Sequence, residues 1–356
     1  MSARGCLNSV SPPPRFIPHI PATETQQPML LMSHPIPSIK KSLAAASFLA
    51  TCVLASGIAS AQTNPIITNM YTADPSAHVW KDGRLYIYAS HDIAPSRGCD
   101  LMDQYHVFST DDMMHWKDHG EILRASQVPW GRPEGGFMWA PDCAYRKGTY
   151  YFYFPHPSDS KWNDSWKIGV ATSKNPASDF KVQGYIPGLE SMIDPCVFVD
   201  DDEQAYFYYG GGGTCKAGKL KDNMMEIDGQ MQEMKGLEDF HEASWVHKRN
   251  GLYYLSYSDN HDADGKHNRM RYATSKSPLG PWESKGIYMD PTDSFTNHGS
   301  IIQYKGQWYS FYHNSALSHN DWERSVCVDK LEYNPDGTIM KVEQTIRVNM
   351  PPAPKN

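Results

Sequence analysis

The sequence predicts an all-β fold: a five-bladed β-propeller that forms a single domain after an N-terminal signal peptide. Three observations lead to this prediction. One β-hairpin pattern recurs five times along the chain. The recurring segments are rich in aromatic and β-branched residues, which favour strands, and the chain holds 21 Tyr and 10 Trp among 356 residues. Residues 62–356 divide into five units of about 59 residues, a size typical of propeller blades.

The first 61 residues predict an N-terminal extension and an export signal, not part of the fold. Residues 1–31 are Pro-rich, and Met32 is a candidate for the true start of translation. Lys40 and Lys41 precede an apolar run over residues 43–58, which ends in Ala-Ser-Ala at residues 59–61. A basic flank, a short apolar core and small residues before the cleavage point form a secretory signal peptide. A transmembrane anchor is the alternative, but the run is short for a membrane span.

Cleavage after residue 61 would leave residues 62–356 as a secreted or periplasmic protein with no stable membrane association. Five cysteines remain in this part, so at least one thiol has no partner within the chain. Cys143 and Cys196 lie in strand-like segments and are expected to be buried core residues. The formal net charge is −7 and no long basic run occurs, which argues against nucleic-acid binding.

Each predicted blade begins with the same hairpin. The five hairpins join two strands rich in aromatic and β-branched residues through a short turn: residues 79–88, 144–153, 199–208, 247–256 and 303–312. The turn residues are Gly83, Gly148, Glu203, Gly251 and Gly306. Another strand-like segment follows most hairpins, so each unit supplies three or four antiparallel strands. A two-sheet sandwich would also contain many strands, but it does not explain five similar hairpins.

Acidic and aromatic residues precede the first strand of several blades. Counted back from the turn residues, Asp74, Trp139, Asp194 and Glu242 lie nine positions away, His298 eight and Asp142 six. The first strand of a blade lines the central channel, so these side chains are expected to meet at one channel mouth. Crowded carboxylates raise one another's pKa values, which favours a functional site. The alternative is that the two Asp-Pro pairs, at 74–75 and 194–195, only initiate turns.

Carboxylates that face each other across a pocket are the groups that hydrolyse glycosidic bonds. One protonates the leaving oxygen, and the other activates water or attacks the anomeric carbon. A third can orient the sugar and keep the acid protonated through its own charge. The residue pattern leaves open which of the three does which. The predicted partner is an oligosaccharide or polysaccharide substrate.

Four motifs around these residues carry a family resemblance. They are Ala73-Asp74-Pro75, Trp139-Ala140-Pro141-Asp142, Ile193-Asp194-Pro195-Cys196-Val197-Phe198 and His241-Glu242-Ala243-Ser244-Trp245. In this order over five blades, residues 64–350 resemble glycoside hydrolase family 43, which includes β-xylosidases and α-L-arabinofuranosidases. Glu242-Ala243 stands where many members have Glu-Gly-Pro, which leaves the acid in place.

The resemblance implies an inverting hydrolase of plant-polysaccharide fragments, an exo-β-xylosidase or an α-L-arabinofuranosidase. It implies that Asp74 is the general base, that Glu242 is the general acid, and that Asp194 positions the acid and tunes its pKa. Inversion needs room for a water molecule, with the acid and base carboxyls about 6.5–9.5 Å apart.

The resemblance also implies further contacts. Trp139, Asp142, His298 and Arg324 are expected to bind substrate, and His298 is expected beside a hydrated Ca²⁺ at the propeller centre. Ca²⁺ prefers oxygen ligands, so most of its ligands would be water. Two alternatives are a galactosidase or galactofuranosidase on the same scaffold and a propeller that binds glycans without cleaving them. A third is a retaining fructosidase-type enzyme, whose Trp-x-Asn-Asp-Pro-like start and Glu-Cys pair do not occur in the sequence.

Overall fold

The strands form five antiparallel sheets that follow one another along the chain. The computed structural model describes residues 64–96, 98–259 and 268–345. Within these residues four sheets have four strands and the fifth has three, and neighbours in sequence are neighbours in each sheet. We call the sheets blades 1 to 5.

The strand bounds are as follows. Blade 1 contains β1 (Tyr71–Val79), β2 (Leu85–Asp92), β3 (Gln104–Thr110) and β4 (Lys117–Arg124); blade 2 contains β5 (Asp142–Arg146), β6 (Thr149–Pro157), β7 (Trp166–Ser173) and β8 (Lys181–Tyr185); blade 3 contains β9 (Ile193–Val199), β10 (Ala205–Gly211), β11 (Thr214–Leu220) and β12 (Ile227–Glu233); blade 4 contains β13 (Phe240–Arg249), β14 (Leu252–Asp259), β15 (Met270–Ser275) and β16 (Glu283–Met289); blade 5 contains β17 (Ser300–Tyr304), β18 (Gln307–Asn314) and β19 (Ser325–Leu331). Short 3₁₀ helices span Cys99–Leu101, Ala125–Gln127 and Trp162–Asp164.

The blades close into a ring around their first strands. β1 contacts β5, β5 contacts β9, β9 contacts β13, β13 contacts β17, and β17 returns to β1. Each first strand pairs with the second in a hairpin at the five predicted places. The prediction of an all-β, five-bladed propeller is therefore confirmed. The predicted signal peptide and Met32 lie outside the described residues, and no helix in the described part is long and apolar enough to cross a membrane.

The five hairpin turns are of two lengths. Blades 2, 4 and 5 have two-residue loops in which both residues have positive φ: Lys147-Gly148, Asn250-Gly251 and Lys305-Gly306. Such loops match the twist of the strands that they join. Blades 1 and 3 have three-residue loops, because the N–H of Trp80 bonds the carbonyl of Arg84 and the N–H of Asp200 bonds the carbonyl of Gln204. Glu203 accordingly takes the left-handed conformation, with φ of 65°, that Gly83 has in blade 1.

Tyrosine hydroxyls join each blade to the next. In each case the hydroxyl donates to a backbone carbonyl in the adjacent blade or beside it: Tyr88 to Pro176 (2.6 Å), Tyr153 to Met224 (2.9 Å), Tyr208 to Pro278 (2.5 Å), Tyr254 to Gly337 (2.7 Å) and Tyr304 to Asp111 (2.8 Å). Four of the acceptors lie in the turn before the fourth strand of the next blade. The tyrosine rings themselves fill the apolar clusters between blades. Cys143 and Cys196 are buried there, as predicted, and their thiols are free.

The segment before β1 completes blade 5. The N–H of Ile66 donates to the carbonyl of Val326 at 2.8 Å. The side chain of Asn64 bonds both backbone groups of Val328, accepting from its N–H at 2.8 Å and donating to its carbonyl at 3.0 Å. Residues from the two ends of the described chain therefore lie side by side in one blade, and this pairing closes the ring.

Candidate active site

One mouth of the central channel opens into a pocket of about 230 Å³. The pocket lies where the first strands begin, and all five blades contribute to it: Asp74, Cys99, Met102, Trp139, Ala140, Ile193, Asp194, His241, Glu242, Phe295, Thr296, His298, Trp322 and Arg324. These residues include every predicted site residue except Asp142. The convergence expected from the sequence is therefore present in the structure.

Bulges at the start of the first strands place the two aspartates. In β1 the pairing with β2 skips from Ala73 to Ser76, and Asp74 has a φ of 52°. In β9 the pairing skips in the same way around Asp194, whose φ is 55°. This left-handed conformation is uncommon outside glycine, although aspartate is among the residues that adopt it. Each bulge re-aims a side chain at the end of a strand, which is a frequent device beside active sites.

The register shows that Glu242 is not equivalent to the two aspartates. In β13 the pairing skips from Glu242 to Trp245, so Ala243, with φ of 64°, occupies the bulge position. Glu242 lies one residue earlier in the strand. The sequence analysis placed Glu242, like the aspartates, nine positions before the turn residue. This equivalence is wrong by one residue, because the loop of blade 4 has two residues whereas those of blades 1 and 3 have three. With the loops aligned, His298 of blade 5 shares the position of Asp74 and Asp194.

Asp74 is a buried carboxylate next to a positive charge. Its Oδ1 accepts a hydrogen bond from Arg324 Nη1 at 3.2 Å, and its Oδ2 accepts one from the Ser90 hydroxyl at 2.8 Å. Burial alone would raise its pKa. The charge of Arg324 is the strongest opposing influence, and together with the other polar neighbours it lowers the pKa of Asp74 to about 2. Asp74 is therefore ionised at neutral pH.

Asp194 and Glu242 are two further carboxyls in the pocket. Their pKa values are raised, whereas that of Asp74 is lowered. Burial, followed by the charge of Glu242, raises the pKa of Asp194 well above its usual value. Burial also raises the pKa of Glu242, and the charge of Asp74 adds to this while His241 opposes it. Asp194 Oδ2 accepts the N–H of Ala243 at 2.8 Å, which ties it to the strand that carries Glu242. The Glu242 side chain is 19% exposed and that of Asp194 only 4%, so Glu242 is the member that can deliver a proton to a bound molecule.

Arg324 is held in place by a second aspartate. Asp92 accepts from Arg324 Nε at 2.8 Å and from Nη2 at 2.9 Å, a two-pronged contact with fixed geometry. The remaining nitrogen, Nη1, donates to Asp74 and to the Thr296 hydroxyl at 3.0 Å. The guanidinium was predicted to bind substrate. The structure puts it at the pocket wall, where its hydrogen bonds already go to protein groups, and its clearest effect is on Asp74.

His298 and Trp139 line the pocket beside the carboxylates. His298 Nδ1 lies 3.7 Å from Asp194 Oδ2, and burial lowers the pKa of His298, which favours the neutral ring. Trp139 donates its indole N–H to the carbonyl of Cys99 at 2.9 Å and packs against Trp166 with ring centroids 4.6 Å apart. Trp139 is therefore fixed by protein contacts and can meet a ligand without rearranging.

Asp142 was predicted to bind substrate, and the structure places it elsewhere. Its Oδ1 accepts from the Ser76 hydroxyl at 2.6 Å and bonds His78 Nε2 at 2.7 Å, and its Oδ2 accepts from the N–H of Val197 at 2.5 Å. The carboxyl is 1% exposed. Asp142 joins blades 1, 2 and 3 inside the channel, because its position six residues before the turn is two further along the strand than that of the pocket residues.

The sequence analysis did not predict Asp92, Ser90 and His313, which surround Asp74. His313 accepts the N–H of Asp74 through Nδ1 at 3.1 Å, and burial lowers its pKa to about 3, so the ring is neutral. These residues lie at the ends of second strands, β2 and β18. A second strand runs antiparallel to the first, so its last residues return to the same mouth. Counting forward from the turns would have found them.

The predicted calcium site has few protein ligands. The described residues contain no group of three or more His, Cys, Asp or Glu side chains able to hold a metal ion. His298 supplies one nitrogen, whereas Ca²⁺ takes six to eight oxygen ligands. The side chains alone therefore do not form a calcium cage.

Comparison with known proteins places the chain in a family. Residues 62–339 match the model of "Glycosyl hydrolases family 43". A "Xylosidase/arabinosidase" of Bacteroides ovatus is 34% identical over 78% of this chain and 97% of its own length. A "Xylosidase/arabinosidase 43A" of Humicola insolens is 36% identical over 78% of this chain and 98% of its own.

A solved structure agrees with this. It is a β-xylosidase/α-arabinofuranosidase from a compost microbial metagenome, crystallised with xylotriose in a calcium-free form. The TM-score is 0.70 at 35% identity, over 80% of this chain and 97% of the other. The family model, the relatives, the propeller and the carboxylate pocket lead to one conclusion: the chain belongs to glycosyl hydrolases family 43.

Proposed function

We propose that the protein is an inverting exo-glycosidase that releases a terminal pentose, β-xylose or α-L-arabinofuranose, from plant-polysaccharide fragments. The observation that carries the proposal is that the surroundings shift the pKa values of two carboxyls in one pocket in opposite directions. The pKa of Asp74 is lowered to about 2, whereas that of Glu242 is raised. Carboxyls whose pKa values are pushed apart by their surroundings are suited to act as base and acid.

The reaction follows from these two states. Glu242, protonated, donates its proton to the leaving oxygen as the glycosidic bond breaks. Asp74, ionised, accepts a proton from the water that attacks the anomeric carbon from the opposite side. Although Asp74 is a weak base when free, the attacking water becomes acidic as it bonds to the electron-poor carbon. Asp194 and Glu242 share a proton, because two adjacent negative charges in a buried site are unfavourable, and the more exposed Glu242 is the one that can pass it to the substrate.

The relatives and the pocket volume support a terminal pentose as the sugar that is released. The relatives named above are described as xylosidases and arabinosidases. A pocket of about 230 Å³ at the end of the channel is small for a sugar-binding site and suits one terminal ring. Exo action on a short chain is the simplest consequence.

A panel of nitrophenyl glycosides tests the substrate. We expect hydrolysis of the β-xyloside and the α-L-arabinofuranoside, and little of the galactoside. Activity on the galactoside or galactofuranoside alone would contradict the pentose, and binding without any hydrolysis would favour a glycan-binding propeller. The anomeric form of the first product, followed by NMR, tests inversion.

The first prediction concerns the two catalytic carboxyls. Asp74→Asn and Glu242→Gln should each lower kcat/KM on xylobiose by about 10³-fold or more, because each removes a proton-transfer step. Glu203→Gln, on an exposed turn, is the matched control. The Glu242 variant should recover activity on a substrate with an acidic leaving group, which needs no proton, and the Asp74 variant should not. Full activity of either variant on xylobiose would refute its role.

Calcium and export remain parts of the proposal. A hydrated Ca²⁺ beside His298 would take most of its ligands from water, and no catalytic step depends on it here. Metal analysis of the purified protein, with thermal unfolding in calcium and in a chelator, tests whether the protein binds calcium.

Mass spectrometry of the protein exported from a host cell tests cleavage after Ala61 and a secreted or periplasmic location. A retained leader in the exported protein would contradict the signal peptide.

A further inference from the structure

A second pocket lies at the opposite mouth of the central channel. Its volume is about 350 Å³, within the range of about 300–1,000 Å³ that is typical of ligand pockets. The later residues of all five first strands line it, including His78, Val199, Trp245 and Gln303. The same strands begin at the candidate active site, so the two pockets lie at opposite ends of the channel. Four residues of strand, from Asp74 to His78, span about 13 Å.

The channel between the two pockets is filled by hydrogen-bonded side chains. Asp142 bonds Ser76 and His78 there, and His78 lines the second pocket while Asp142 does not. The second pocket is therefore separate from the catalytic carboxyls, and a molecule bound in it does not touch them.

Aromatic rings from all five blades line it, and three of them are tryptophans. Trp80 of blade 1 and Trp308 of blade 5 are half-buried, and Trp245 of blade 4 lies deeper. His78 stacks on Trp80 with centroids 4.8 Å apart and parallel planes, and His247 packs on Trp308 at 5.2 Å. The rings thus support one another and stand in fixed orientations. Rigid, partly exposed indole rings bind apolar faces at a low cost in conformational entropy.

The lysine and the aspartate that line the pocket are paired. Lys248 bonds Asp201 at 2.8 Å and also bonds Asp200 at 2.6 Å. His247 is uncharged, because burial lowers its pKa to about 3. Hydrogen-bonding groups remain at the mouth, among them the exposed amide of Gln303. Neutral aromatic walls with a few polar groups disfavour anions and suit a neutral sugar, which has both an apolar C–H face and hydroxyls.

We propose that this pocket is a second, non-catalytic binding site for a neutral pentose unit of the polysaccharide, a choice of sugar that rests on the proposed function. A polymer held at the far mouth raises the effective concentration of chain ends near the enzyme. The site would therefore matter for arabinoxylan and would leave small substrates unaffected.

Binding to an inactive protein tests the proposal. In the Glu242→Gln background, calorimetric titration with xylotriose should show two sites, and Trp308→Ala should abolish one of them. On insoluble arabinoxylan, Trp308→Ala should weaken binding about 3- to 10-fold, the range expected for loss of an aromatic contact. Tyr185→Ala, which removes an exposed ring on β8, is the matched control and should change neither result.

A second variant distinguishes loss of the second binding site from misfolding. Gln303→Trp adds bulk at the mouth without removing any packed ring, and it should also abolish the second site. In otherwise wild-type protein, both variants should keep kcat/KM on nitrophenyl xyloside within about twofold. A single site in the Glu242→Gln protein, or two sites that survive both variants, would overturn the proposal. Neither result touches the hydrolytic assignment, which fails only if the glycoside panel shows no turnover.

Discussion

The ion pair between Arg324 and Asp74 controls the charge of the candidate base. Asp92 holds two nitrogens of the guanidinium, which leaves Nη1 directed at Asp74. A buried carboxyl without this partner would have a raised pKa. We therefore expect Arg324 to affect the reaction through Asp74, and its hydrogen bonds explain how a nearly water-free carboxyl stays ionised.

The second prediction is a change in pH dependence when Arg324 is replaced. In the wild type, Asp74 is deprotonated down to a pH near 2, so kcat/KM should stay level as the pH falls through the range in which the fold survives. Arg324→Gln removes the positive charge, and the pKa of Asp74 rises. Its protonation should then produce an acidic limb at higher pH. The alkaline limb, which reports loss of the proton from Glu242, should move less.

The pH profile of kcat/KM on xylobiose, whose leaving group needs the proton from Glu242, measures this. Arg124→Gln, at an exposed arginine in β4, is the control and should keep the wild-type profile. Circular dichroism confirms that each variant is folded. An Arg324→Gln enzyme with lower activity and an unmoved acidic limb would mean that Arg324 serves substrate binding alone.

At the scale of the strand, the tyrosine hydroxyls connect neighbouring blades through hydrogen bonds. The third prediction is that Tyr208→Phe destabilises the protein by about 1–2 kcal/mol, because it leaves the carbonyl of Pro278 without its donor. Tyr185→Phe, on a tyrosine that is 41% exposed, is the control and should change stability by less than about 0.5 kcal/mol. Urea unfolding measures both. Equal stability of the two variants would contradict a stabilising role for the hydrogen bond between Tyr208 and Pro278.

The hairpins were the most predictable elements, because their signal is local. Alternation of apolar residues around a tight turn is visible within ten residues, and each hairpin lies where the sequence predicted it. The relation between hairpins was harder to predict. A loop of three residues in place of two shifts every count by one, which moved Glu242 out of register with Asp74 and Asp194. The loop length depends on a hydrogen bond that the sequence does not display.

The site was predicted only in part for the same reason. The carboxylates were found because they stand in order along the chain, each before a first strand. Asp92 and His313 were missed because they meet Asp74 only once the second strands return. Asp142 was misplaced because two residues along a strand separate the pocket from the channel interior.

At the scale of the whole molecule, stability depends on ring closure. Asn64 is fully buried and bonds Val328, Asp329 and Thr345 with its side chain. The fourth prediction is that Asn64→Ala lowers the free energy of unfolding by about 2–4 kcal/mol, because several buried groups lose their partners. Asn69→Ala removes a single exposed contact with Asp118 and is the matched control.

Urea unfolding followed by tryptophan fluorescence measures the effect of Asn64→Ala. Because each first strand contacts the next around the ring, fluorescence and activity should be lost in one transition. An unchanged midpoint, or a variant in which blade 5 unfolds alone while the pocket keeps its activity, would contradict a ring held at this joint.

The same joint has a consequence for the order in which the chain can fold during translation. The partners Asn64 and Val328 are 264 residues apart, so one is synthesised long before the other. At about 5–20 residues per second, the interval is roughly 13–50 s. Whether the chain folds during synthesis or after export, the segment at Asn64 cannot form this pairing until Val328 is present.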